Sequence, residues 1–150
     1  MKINKKTGGF TLIELLVVIS IIGFLTVASV VAFNMARMSA RDATRVANIA
    51  TINRSLAMYL NESLTGYPAS SGECLTEDSG VGAELKAASM IINVPTDPLW
   101  AAEAPNPDIA GDIDGFCYYY VSGNKDTYQL SYYLEANSKS GSAGAHTSIP

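Results

Sequence analysis

Phe10-Thr11-Leu12-Ile13-Glu14-Leu15-Leu16-Val17-Val18-Ile19-Ser20-Ile21-Ile22-Gly23-Phe24-Leu25-Thr26-Val27-Ala28-Ser29-Val30-Val31-Ala32-Phe33 contains a single charge, Glu14. No charge follows until Arg37. At 1.5 Å of rise per residue, a helix from Leu15 to Ala36 is roughly 33 Å long, enough to cross the hydrocarbon core of a bilayer. A carboxylate at the centre of such a helix costs on the order of 2–3 kcal/mol on insertion scales, and less near the interface. An ionisable group in this setting is a functional candidate, and Glu14 is the first residue to explain.

The chain has 150 residues, room for at most one domain beside the apolar segment. Its net charge of −4 argues against a nucleic-acid-binding surface, which needs a basic patch. Lys2, Lys5, Lys6, Arg37, Arg41, Arg45 and Arg54 lie early in the chain, whereas most carboxylates lie after Glu62. Both cysteines, Cys74 and Cys117, lie beyond the apolar run. If that side is extracytoplasmic they form a disulfide; in a reducing compartment they are two small buried apolar residues.

Residues 1–9 carry three lysines and no acid, like the basic region of an export signal. The apolar run is longer than the 7–15 residues of a cleavable secretory signal, and a glutamate stands near its start. A plain single-pass anchor accounts for the length but not for Gly8-Gly9, Phe10 or Glu14. The stretch Lys6-Thr7-Gly8-Gly9-Phe10-Thr11-Leu12-Ile13-Glu14-Leu15-Leu16-Val17-Val18-Ile19 resembles the class III signal of type IV prepilins and type II secretion pseudopilins. The resemblance implies cleavage between Gly9 and Phe10 by a membrane-embedded prepilin peptidase, which then N-methylates Phe10. It also implies that Glu14 meets the N-terminal amine of a neighbouring subunit in a filament. Such a pair offsets the desolvation of both charges, and a wrong register leaves both unpaired, so Glu14 would set register more than add stability. The alternative for Glu14 is a carboxylate at the headgroup boundary.

No helix breaker appears between Thr26 and Leu64, so one helix is expected from Thr11 to about Leu64, roughly 80 Å long. Ala28, Ala32, Ala36, Ala40, Ala43, Ala47, Ala50 and Ala57 form a ridge that lets helix backbones approach closely. A bulkier stripe comprises Val46, Ile49, Leu56, Tyr59 and Leu60, with Thr44, Asn48, Thr51, Ser55 and Glu62 opposite. Either the stripe packs on the chain's own head and the ridge on other subunits, or the two make one broad core face. Gly23 could mark a segment that unwinds on assembly. Related filaments often place a proline further along, where this chain has Val30-Val31-Ala32-Phe33, so a straight helix is an equal expectation.

Thr65-Gly66-Tyr67-Pro68 ends the helix, and a short helical piece is expected around Ala83–Ala88. Pro95-Thr96-Asp97-Pro98 resembles the turn before the small sheet of major pseudopilins. Residues 116–121 and 127–134 read as an antiparallel pair, with Tyr128, Leu130, Tyr132 and Leu134 on one face. Those tyrosines pack against the helix or, alternatively, form an aromatic binding platform. Asp108, Asp112 and Asp114 form an acidic loop; a calcium site is implied by resemblance to major pseudopilins, a solvated turn by the missing EF-hand spacing. The Ser/Gly-rich residues 138–150 read as disordered.

The expected fold class is α+β and pilin-like: a long N-terminal α-helix whose second half packs on a small antiparallel β-sheet head. The expected divisions are a leader (1–9), a transmembrane and filament-core helix (10–36), an amphipathic helix (37–64), a head (65–136) and a flexible tail (137–150). An enzyme is not indicated: His146 is the only histidine, and no phosphate loop or nucleophile elbow occurs. The resemblance implies a filament subunit, most closely a type II secretion major pseudopilin. The alternatives are a type IV pilin for adhesion, motility or DNA uptake, and a monomeric membrane-anchored binding module. Its partners would be prepilin peptidase, copies of itself, minor pseudopilins and, indirectly, an assembly ATPase and platform protein. Its place would be the bacterial inner membrane with the head outside, then an extracytoplasmic filament. No cofactor beyond the calcium alternative is expected.

Overall fold

The computed structural model describes residues 9–63, 65–100 and 116–150, and the chain divides into two units, Met1–Arg37 and Met38–Pro150. Helix α1, Leu12–Glu62, supplies the described secondary structure of the first unit and continues into the second. It is long and apolar enough to cross a membrane. In the first unit every described side chain is exposed, from Phe10 through Phe33 and beyond. Its hydroxyls are satisfied internally: Ser20, Thr26 and Ser29 donate to the carbonyls of Leu16, Ile22 and Leu25 at 2.7–2.8 Å. Among the described residues of this unit no hydroxyl is left unsatisfied to oppose an apolar environment. The helix continues unbroken through Gly23.

In the second unit α1 is followed by β1 (Ser70–Cys74), α2 (Gly80–Ala87), β2 (Tyr119–Asn124), β3 (Thr127–Leu134) and β4 (Gly144–Ser148). The strands form one antiparallel sheet in the order β1-β2-β3-β4. Ile49, Ile52 and Leu56 of α1 share a core with Val81 and Leu85 of α2 and with Tyr118, Tyr120, Tyr128 and Leu130. The tyrosines are therefore packing residues: Tyr120 donates to the Pro68 carbonyl and Tyr128 to Asn53 Oδ1. Gly66 ends the helical region with φ +95° and admits the Lys125 backbone, whose carbonyl accepts the Tyr67 N–H at 2.9 Å.

Several sequence expectations need correction. The disordered-tail reading fails for residues 144–148, which pair with β3 from Leu130↔Ser148 to Leu134↔Gly144. Backbone hydrogen bonding, not side-chain burial, holds β4, none of whose residues is fully buried. β1 was not anticipated either; its Gly72, at φ +128°, lies where the Tyr119 hydroxyl packs closely. The first strand of the hairpin begins at Tyr119 rather than at residue 116. Phe116 sets its ring against Arg45, and Cys117 is bonded to Cys74. In the bulky stripe Ile49 and Leu56 are buried and Tyr59 is half-buried, whereas Val46 and Leu60 are exposed. Ser55, expected on the polar face, is buried with its hydroxyl donated to the Thr51 carbonyl. The ridge residues Ala43, Ala47, Ala50 and Ala57 are exposed, a face distinct from the core face.

Cys74 and Cys117 form a disulfide, with Cα atoms 5.7 Å apart, joining the end of β1 to the residues before β2. Asp108, Asp112 and Asp114 lie outside the described residues, as does Leu64.

Candidate functional site

Phe10 is 85% exposed. A methyl group added at Gly9 would meet nothing within 4 Å, so nothing in this chain's own packing requires glycine there. Two residues on, Thr11 precedes the first helical residue, and Glu14 stands in the first turn. Glu14 Oε2 accepts hydrogen bonds from the Thr11 N–H at 2.8 Å and the Thr11 hydroxyl at 2.7 Å, while the Glu14 N–H donates to Thr11 Oγ1 at 3.3 Å. This is a reciprocal capping box, whose Thr-x-x-Glu spacing is legible in the sequence. The box holds the carboxylate at the helix N-terminus, against Thr11. Among the described residues Glu14 Oε1 makes no hydrogen bond, leaving one oxygen to accept a further donor.

Residues 4–30 match the family described as the prokaryotic N-terminal methylation motif. The chain carries the prepilin-type cleavage and methylation signature. It is the signature of type IV pilins and pseudopilins, and it encloses Gly9, Phe10, Thr11, Glu14 and Gly23. It supports a pilin-like or pseudopilin subunit, and implies processing by prepilin peptidase and pilus assembly. No curated protein and no solved structure matches the chain.

The head holds a second constellation that apolar periodicity did not reveal. Arg45 and Asp42 of α1 are fully buried. The Arg45 guanidinium grips Asp97 with both ends of its fork, at 2.7 and 2.9 Å. Its Nη1 donates to Asp42 at 2.8 Å and to Glu135 at 2.5 Å, and the Phe116 ring lies 4.8 Å from its central carbon. Arg41 makes a two-point pair with Glu135 at 2.8 and 2.5 Å. Asp42 also accepts the backbone N–H groups of Glu135 and Ala136, each at 2.9 Å, and Asp97 accepts that of Leu99 at 2.8 Å. Among the described residues no buried side-chain nitrogen or oxygen is left without a partner. The cluster ties three segments together: α1, the Pro95–Pro98 turn and the chain leaving β3.

Burial opposes the charge on Arg45, but the hydrogen bonds it donates to Asp97, Glu135 and Asp42 outweigh it and raise its pKa. The hydrogen bond from Arg41, aided by Arg45, holds the Glu135 carboxyl below the usual carboxylate range. Burial pushes the Tyr118 and Tyr128 hydroxyls up to about 12. Because the folded pKa of Glu135 is depressed, its contribution is complete above the unfolded value of ~4.3 and is lost as pH falls through the folded value. Glu135→Gln should therefore lower the melting temperature at pH 7 and make its fall below pH ~4 shallower than in the parent. An unchanged acid limb in a melting series would show that Glu135 does not carry this dependence. His146 stands on β4, with Nε2 2.7 Å from the Ser142 carbonyl and its ring stacked on Tyr132, a packing position.

Proposed function

We propose that the chain is a structural, non-enzymatic subunit of a type IV pilus-like filament, closest in kind to a type II secretion major pseudopilin. The observation that carries the reading is the capped Glu14 shortly after an exposed Gly9–Phe10 bond, at the head of an uninterrupted apolar helix. Cleavage removes the leader with its three lysines and leaves one ammonium at Phe10. A carboxylate with a vacant oxygen one turn along the helix is the complementary group on a neighbouring copy. The exposed alanine ridge gives those copies a face of close approach.

The preference for a pseudopilin rests on the head. Its disulfide joins β1 to the residues before β2, whereas type IV pilin heads often close a loop near the C-terminus. The resemblance to prepilins and the Cys74–Cys117 disulfide, a bond that persists in oxidising compartments, support a head lying outside; lysines and arginines flank the apolar run on both sides and do not decide the orientation.

The test is the N-terminal mass of the chain purified from cells that have a prepilin peptidase. The expected species begins at Phe10 and carries one added methyl group. An intact Met1 terminus would overturn the reading in favour of a plain membrane-anchored module.

A further inference from the structure

The disulfide and the buried arginine fasten the same piece of chain. Residues 70–100 are tied to one another: Glu73 accepts the Val81 N–H at 2.8 Å, and Glu77 accepts the Val94 N–H at 3.1 Å and pairs with Lys86 at 3.3 Å. The segment starts with β1, a five-residue edge strand with no fully buried side chain and a register shift between Ser70 and Glu73. An edge strand of this kind has little hold of its own on the sheet. Its last residue, Cys74, is bonded to Cys117, and the segment's other end delivers Asp97 to Arg45. Phe116, next to Cys117, lies against the same guanidinium. Both attachments therefore converge on Arg45, through Asp97 on one side and Phe116 on the other.

We propose that the Cys74–Cys117 bond and the Arg45 cluster form one redox-conditional clasp on residues 70–100. With the bond closed, Phe116 and Asp97 are both presented to Arg45 and the segment is shut against α1. As a dithiol, β1 loses its tie to the residues before β2, and β1 and the Asp97 turn loosen while Leu75, Val81 and Leu85 stay packed in the core, leaving Arg45 short of its two-point partner. Closing the clasp oxidises two thiols to a disulfide. Two electrons and two protons pass to an external disulfide oxidant, which leaves as a dithiol. Head closure then depends on arrival in an oxidising compartment. The inference does not require the chain to assemble into a filament.

Three backbone amides report on the cluster: Leu99, which donates to Asp97, and Glu135 and Ala136, which donate to Asp42. Their hydrogen exchange is measured in the full chain in detergent micelles, with amides of the β2–β3 ladder as the reference. In Cys74→Ser/Cys117→Ser the three amides and those of β1 should exchange ~10-fold faster or more while the ladder is little changed, the pattern of a subglobal opening. Arg45→Met with the disulfide intact should give the same pattern, and should add little in the serine background. If the serine variant does not fold, the parent is reduced with dithiothreitol and the same amides are followed as the bond opens. Unchanged Leu99, Glu135 and Ala136 amides would overturn the proposal, as would equal acceleration across the ladder.

Discussion

Arg45→Met should destabilise the head by about 3–5 kcal/mol at pH 7, the range for removing one partner of a buried ion pair. Methionine roughly fills the space of the side chain, so a cavity is not the main cause. The cause is electrostatic: Asp42, Asp97 and Glu135 would face each other with only Arg41, which reaches Glu135 alone. For a domain of this size each kcal/mol moves the melting temperature by a few degrees, so the shift should exceed ~10 °C. Thermal unfolding of the solubilised chain, followed by near-ultraviolet circular dichroism, measures it. Combining Arg45→Met with Asp42→Asn, Asp97→Asn and Glu135→Gln should cost less, because no buried charge is then stranded and amide oxygens can still accept the Leu99, Glu135 and Ala136 N–H groups. A single variant within ~1 kcal/mol of the parent would mean that water or rearrangement relieves the cluster, and that it is not the fastening described here.

Glu14→Ala should leave cleavage at Gly9–Phe10 intact and abolish filament assembly. Without the carboxylate each ammonium at Phe10 enters the filament core unpaired. A penalty of several kcal/mol per contact corresponds to more than ~100-fold in each association step. Thr11→Val separates this role from capping. It removes the hydroxyl partner while keeping the Thr11 backbone N–H bond to Glu14, so it should cost about 1 kcal/mol of helix start and leave assembly largely intact. Mass analysis reads cleavage, and sheared-filament yield reads assembly. Normal yield from Glu14→Ala with normal cleavage would reduce Glu14 to a helix cap.

The elements visible in the sequence are those whose stability comes from side-chain pattern. The α1 apolar run, the α2 piece and the β2–β3 hairpin each show a period or a strong composition. β1 and β4 lack both: Ser70-Ser71-Gly72-Glu73-Cys74 and Gly144-Ala145-His146-Thr147-Ser148 contain no large aliphatic residue. A disulfide fixes the first, and backbone pairing with β3 the second. On α1 the core face runs Asp42, Arg45, Ile49, Ile52, Leu56 at steps of three and four. Counting only apolar residues cut that face short and admitted Val46 and Leu60, which point elsewhere. The partners that let Arg45 be buried, Asp97 and Glu135, lie 52 and 90 residues away, and no local pattern connects them. That Glu14 stands in the first turn of α1, inside the matched motif, was legible because the start of the apolar run marks the helix start.

Both outer strands of the sheet are only five residues long, and one of them has a register shift. Beyond β4, Pro150 has no N–H to extend a ladder. Heads held side by side in an array meet at very high local concentration, where long regular sheet margins would fuse by strand pairing. Margins this short and uneven give a neighbour little to zip onto. Crowded heads can therefore touch through side chains without fusing along their sheet margins into a cross-β stack.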